Sequence, residues 1–144
     1  MRILVTGGSG FLGSHLADAL SKKNHDVVLF DVEASPYCQD SQEMIVGDIL
    51  ERDVFGKAMK GCEIVYHLAA VADLDEAIKS PVQAIEVNIM GTANALELAR
   101  TAEKVGAEVI QVSAPFYFAH TEEDFYEYVM AAADAADVGI ILSN

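Results

Sequence analysis

The sequence predicts a three-layer α/β domain whose parallel sheet carries helices on both faces. Two observations support this. Short apolar runs of strand length alternate along the chain with amphipathic segments of helix length, the pattern of strands buried on both sides. The first of these runs passes directly into a glycine cluster that opens a helix, the junction on which such sheets bind phosphates. At 144 residues and 52% apolar composition the chain suffices for one domain, residues 1–144, with a substantial core.

The elements follow in order. "RILVT" (2–6) reads as a fully buried strand, and "FLGSHLADALSKKN" (11–24) as a helix ending in Lys, Lys and Asn. "DVVLF" (26–30) is the second strand. The stretch 33–42 contains proline and lacks an apolar period, so it is a loop. "EMIVG" (43–47) is the third strand, with a helix at about 50–60 after it. "EIVYHLAA" (63–70) is the fourth strand. A polar loop and helical turn lead to Pro81, and a long helix covers about 82–104. "EVIQVS" (108–113) is the fifth strand. A helix at 121–136 begins with a capping box in which Thr121 accepts from the Asp124 amide, and "VGIILS" (138–143) is the sixth strand.

Composition narrows the function classes. A net charge of −14 argues against nucleic-acid binding, which needs clusters of Lys and Arg. All nine Lys and Arg fall in residues 1–104, while residues 105–144 hold seven acids and no basic side chain. The apolar runs are far shorter than the ~20 residues of a membrane span. No signal-peptide pattern opens the chain. Cys38 and Cys62 lack metal or CxxC spacing and read as reduced thiols, which implies a cytoplasmic protein. His15, His25, His67 and His120 form no metal-binding spacing, and His67 reads as a strand-end packing residue.

"TGGSGFLG" (6–13) has the spacing of a dinucleotide-binding loop of Rossmann-like type. Gly7 suits the tight turn, Gly10 the approach of a pyrophosphate, and Gly13 the packing of helix on strand. The amides of Ser9, Gly10, Phe11 and Leu12 are expected to face the phosphates. Asp31 closes the second strand, where a carboxylate accepts from both ribose hydroxyls and repels a 2′-phosphate. NAD is therefore expected in preference to NADP. A turn that merely needs glycine and an Asp that merely ends a strand are the competing readings.

With "GDI" (47–49), "HLAA" (67–70) and "VNIMGTANALELA" (87–99), these motifs make residues 1 to about 100 resemble the extended short-chain dehydrogenase/reductase, or NAD-dependent epimerase/dehydratase, family. The resemblance implies that Asp48 and Ile49 flank the adenine and that Leu68, Ala69 and Ala70 line the middle of the cofactor. It also puts Asn88 at the family's helix asparagine, which supports a proton-relay water. Family members carry a Ser/Thr after the fifth strand and a Tyr-x-x-x-Lys pair. Here Ser113 is followed by Ala114 and Pro115, Tyr126 aligns with Met130 in the lysine position, and no lysine follows Lys104. A thioether cannot stabilise a phenolate as a neighbouring cation does.

Residues 106–144 resemble a strand–helix–strand segment of the dihydrodipicolinate synthase/N-acetylneuraminate lyase TIM-barrel family. The shared features are a P-x-Y motif that puts Tyr117 at the active-site tyrosine, T-x-E-[DE], and D-x-G-I-I-L-x-N. The Schiff-base lysine of that family has no counterpart. The two resemblances imply a chimera, engineered in origin, joined near 98–108. Residues 1–104 would bind the dinucleotide, and residues 105–144 would complete six parallel strands in the order 3-2-1-4-5-6. The expected function is NAD binding without catalytic machinery of its own. A truncated or divergent short-chain oxidoreductase or epimerase, and a folded scaffold with no ligand, stay open as alternatives. The expected partner is the dinucleotide, with no nucleic acid and no membrane. Exposed aromatics at Phe116, Tyr117 and Phe118 leave self-association open.

Overall fold

The computed structural model describes residues 1–103, 109–113 and 139–143, with side chains described through residue 98. Six strands, β1 (Arg2–Thr6), β2 (Asp26–Asp31), β3 (Gln42–Val46), β4 (Ile64–His67), β5 (Val109–Ser113) and β6 (Gly139–Ser143), pair in parallel in the order β3-β2-β1-β4-β5-β6. Helices α1 (Phe11–Ser21), α2 (Arg52–Met59), α3 (Leu74–Lys79), α4 (Pro81–Ile85) and α5 (Thr92–Glu103) accompany them. A π-helical segment, Glu86–Gly91, joins α4 to α5. The expected helix 121–136 with its Thr121 cap, the Ala114–Phe118 stretch, Tyr126 and Met130 lie outside the described residues.

The central strands are apolar on both faces because both faces are covered. Leu4, Val28, Phe30 and Val65 pack with Phe55, Ala58 and Met59 of α2 and Ala95 of α5. Ile3, Val5, Val27 and Leu29 pack with Ala17 and Leu20 of α1 on the other side. Alternate residues of one strand thus serve two separate core layers. Phe30 and Phe55 are wholly buried, with ring centroids 5.3 Å apart. Each such side chain contributes roughly 1.5–3 kcal/mol by leaving water. At the opposite end of the sheet from the glycine loop, Arg2 links neighbouring strands. Its guanidinium bonds Asp26 and Glu43, and its amide donates to Glu63 at 2.9 Å.

Several boundaries differ from the sequence expectation for physical reasons. Helix α1 stops at Ser21 because Asn24 takes a left-handed conformation (φ 61°), and the amides of Lys23 and His25 then close on the Leu20 carbonyl. Strand β4 ends at His67, three residues early: the Leu68 amide is shared between the Thr6 carbonyl and hydroxyl, and the Ala69 amide turns to that hydroxyl. The single helix expected over 82–104 starts at Pro81 and widens into the π segment before continuing as α5.

Candidate functional site

The strand order reverses between β1 and β4, and the crevice beyond their carboxyl ends is the usual ligand site of such sheets. The glycine loop crosses this point. Gly7 has φ 69°, and a Cβ there would lie 2.8 Å from the carbonyl carbon of Leu68. A Cβ on Gly13 would lie 2.1 Å from the Gly7 carbonyl oxygen. Both positions accept only glycine, because the obstacle in each case is backbone.

The loop's amides divide into two sets. The Ser9 amide donates to Asp31 Oδ2 at 2.9 Å, and the Gly10 amide donates to the Gly7 carbonyl at 3.1 Å. The Ser9 hydroxyl donates to the Glu33 carbonyl at 2.6 Å. Ser9 and Gly10 therefore brace the loop, contrary to the expectation that their amides face phosphates. The first-turn amides of Phe11, Leu12 and Gly13 follow, with no side-chain cap at Gly10.

A cavity of about 750 Å³, within the usual range for small-molecule sites, opens over this loop. Gly7, Ser9, Gly10, Phe11, Leu12, Gly13, Asp31, Asp48, Ile49, Leu68, Ala69 and Ala70 all border it. On one flank Asp48 Oδ1 accepts the Leu50 amide at 2.9 Å, and the Asn94 side chain donates to the Ile49 carbonyl at 3.1 Å. Those bonds fix the turn that presents Asp48 and Ile49. No Lys or Arg is among the described residues bordering the cavity, which include the acids Asp31, Glu33, Asp48 and Glu76. Neutralisation of a bound phosphate would fall to backbone amides and the dipole of α1.

The sequence leaves Thr6 and Thr92 unmarked here and suggests for His67 a strand-end packing residue. The three side chains are buried and bonded to one another: Thr6 Oγ1 lies 2.9 Å from His67 Nδ1, and Thr92 Oγ1 lies 3.3 Å from His67 Nε2. Burial lowers the pKa of His67 to about 4, so the ring is neutral at neutral pH. The available signal is a hydroxyl at the end of a strand buried from Ile3 onward, where an apolar residue is the default. Asn88 spends its side-chain amide on Val71, accepting its N–H at 2.8 Å and donating to its carbonyl at 3.2 Å. That grip holds the loop after β4.

Comparison with known proteins places this geometry in context. Residues 3–133 match the profile of the NAD dependent epimerase/dehydratase family. A provisionally named UDP-glucose 4-epimerase of Methanocaldococcus jannaschii is 36% identical over 102 residues, 68% of this chain and 33% of that protein. The Danio rerio UDP-glucuronic acid decarboxylase 1 is 30% identical over 136 residues, 89% of this chain and 32% of that protein. The Thermus thermophilus UDP-glucose 4-epimerase, solved as a complex with NAD, superimposes with a TM-score of 0.80 at 22% identity. That superposition covers 99% of this chain and 54% of the solved one. The chain thus spans about a third of the length of the curated relatives it matches. These matches overturn the expectation of an engineered chimera that binds NAD without catalytic machinery. The family match runs on to residue 133, through most of the segment that resembles a barrel fragment, and the relatives are named as epimerases and decarboxylases.

Proposed function

The chain belongs to the NAD dependent epimerase/dehydratase family, and from that premise we propose that its cavity holds NAD as the cofactor-binding portion of an enzyme acting on a nucleotide sugar. The observation that carries the proposal is the glycine cradle tied to Asp31. A loop that admits no Cβ at Gly7 or Gly13 is fastened by its Ser9 amide to a carboxylate at the end of β2. The chemistry such a cofactor supplies is reversible hydride transfer at a hydroxyl-bearing carbon, which can serve inversion of that carbon or loss of a neighbouring carboxyl group.

In this reading the amides of Phe11, Leu12 and Gly13 receive the pyrophosphate, which needs no cation because the helix end supplies partial positive charge. Asp31 gives one oxygen to Ser9 and keeps the other for the ribose, and its charge disfavours a 2′-phosphate, so NAD is taken over NADP. Asp48 and Ile49 flank the adenine, and Leu68, Ala69 and Ala70 line the middle of the dinucleotide. Relatives named as UDP-glucose epimerases and UDP-glucuronic acid decarboxylases support a UDP-sugar as the substrate class.

Calorimetric titration with NAD, NADH and NADP tests the cofactor. Saturable heat with NAD and a weaker response to NADP are expected; no heat with NAD or NADH would sink the reading. Incubation with NAD and either UDP-glucose or UDP-glucuronic acid, followed by product analysis, tests the substrate class.

A further inference from the structure

We propose that His67 is a positioning residue, held in the single Nε2–H tautomer, that aligns the cavity-lining segment 68–71 through a hydrogen-bond chain able to run in only one direction. The direction follows from either end. At one end, Thr6 Oγ1 already accepts the amides of Leu68 at 3.1 Å and Ala69 at 3.2 Å. With its lone pairs taken, its hydroxyl proton has one use, donation to His67 Nδ1 at 2.9 Å. Nδ1 must then be bare. At the other end, the Thr92 hydroxyl donates to the Asn88 carbonyl at 2.8 Å. It can therefore only accept from His67, which puts a proton on Nε2. The two ends require the same tautomer.

The consequence is a grip on both sides of one segment. Thr6 holds the amides of Leu68 and Ala69, while the Asn88 side chain holds Val71 by its N–H and its carbonyl. His67 ties the two holders together by bonding Thr6 directly and Asn88 through Thr92. A proton on Nδ1 would face a Thr6 oxygen with no free lone pair, so the ring cannot take one there without displacing an amide from that oxygen. The Leu68 amide also donates to the Thr6 carbonyl at 3.2 Å, so the Ala69 amide is the one that depends on the hydroxyl. Burial, which pushes the His67 pKa down to about 4, keeps the ring from becoming an imidazolium at neutral pH, and the hydrogen-bond directions select the neutral tautomer.

The claim about tautomer and segment stands on the unliganded protein; its effect on affinity rests on the dinucleotide reading. A long-range proton–nitrogen NMR spectrum of the unliganded chain should show Nε2 protonated and Nδ1 bare at neutral pH. The opposite tautomer, or an imidazolium, would overturn the proposal. Amide hydrogen exchange at Ala69 should speed up about ten-fold or more in His67→Phe and recover in part in His67→Asn, whose side-chain oxygen can still accept from Thr6. Leu68, which also donates to the Thr6 carbonyl, should change less. Exchange unchanged in the Phe variant would also overturn it. NAD affinity should follow the same order, and equal affinity in all three folded proteins would refute the positioning role. If the wild-type chain bound no NAD, the cofactor reading would fail, while the tautomer and exchange results would still judge this one.

Discussion

The Asp31 carboxylate accepts the Ser9 amide at 2.9 Å, so one side chain both closes β2 and fastens the glycine loop. Asp31→Ala removes the fastening and the proposed ribose acceptor together. A hydrogen bond to a charged group contributes about 1.5–3 kcal/mol, so NAD affinity should fall roughly 10- to 100-fold. Asp31→Asn keeps an acceptor and loses the charge, so it should lose less affinity for NAD and gain on NADP. Titration of both cofactors against the three proteins checks this; an unaltered preference would remove Asp31 from the specificity assignment.

Gly13→Ala drives a methyl to 2.1 Å from the Gly7 carbonyl oxygen, and the obstacle is backbone that cannot rotate away. Relief requires α1 to move off β1. We expect a loss of roughly 1–3 kcal/mol in urea unfolding together with loss of NAD binding. A variant with native stability would show that the loop and helix adjust more freely than the packing implies.

His67 makes stability depend on pH in a defined sense. Its pKa falls from an ordinary value of about 6.5 to about 4 in the folded chain, so between those values the unfolded state holds more protons. The contribution of its neutral burial is fully present above pH ~6.5 and is lost as pH falls through about 4, by about 3 kcal/mol in all. Urea unfolding of wild type and His67→Asn across that range isolates the effect, because the carboxylates titrate in both proteins. Parallel pH curves would contradict the assignment.

Arg2 bonds Asp26 and Glu43 at the far end of the sheet, on a partly exposed surface. Arg2→Ala should lower stability by only about 1 kcal/mol, since exposed pairs are screened and entropically costly. That difference should shrink further in about 1 M salt, where the Debye length is about 3 Å. Thermal unfolding at low and high salt reads it directly.

Much of the fold was legible because its signals are local. The double-sided burial of "RILVT" and "DVVLF" requires helices on both faces, and the spacing of Gly7, Gly10 and Gly13 states a backbone requirement that any turn of this geometry must meet. The twelve residues expected at a dinucleotide site do border one cavity. The reading of residues 106–144 as a piece of a chimera fails because a strand–helix–strand unit has much the same pattern in either architecture. Forty residues of that pattern do not tell the architectures apart, whereas the whole-family match to residue 133 does.

The strand–helix alternation, the glycine loop and the acid that ends β2 can be read from the residues alone, since each depends on neighbours a few positions away. Which loop amides bond within the protein and how His67 is held depend on contacts made in the folded chain. Its hydroxyl partners lie 61 and 25 residues away in the chain, and a hydrogen bond's direction is set by what else each partner already binds.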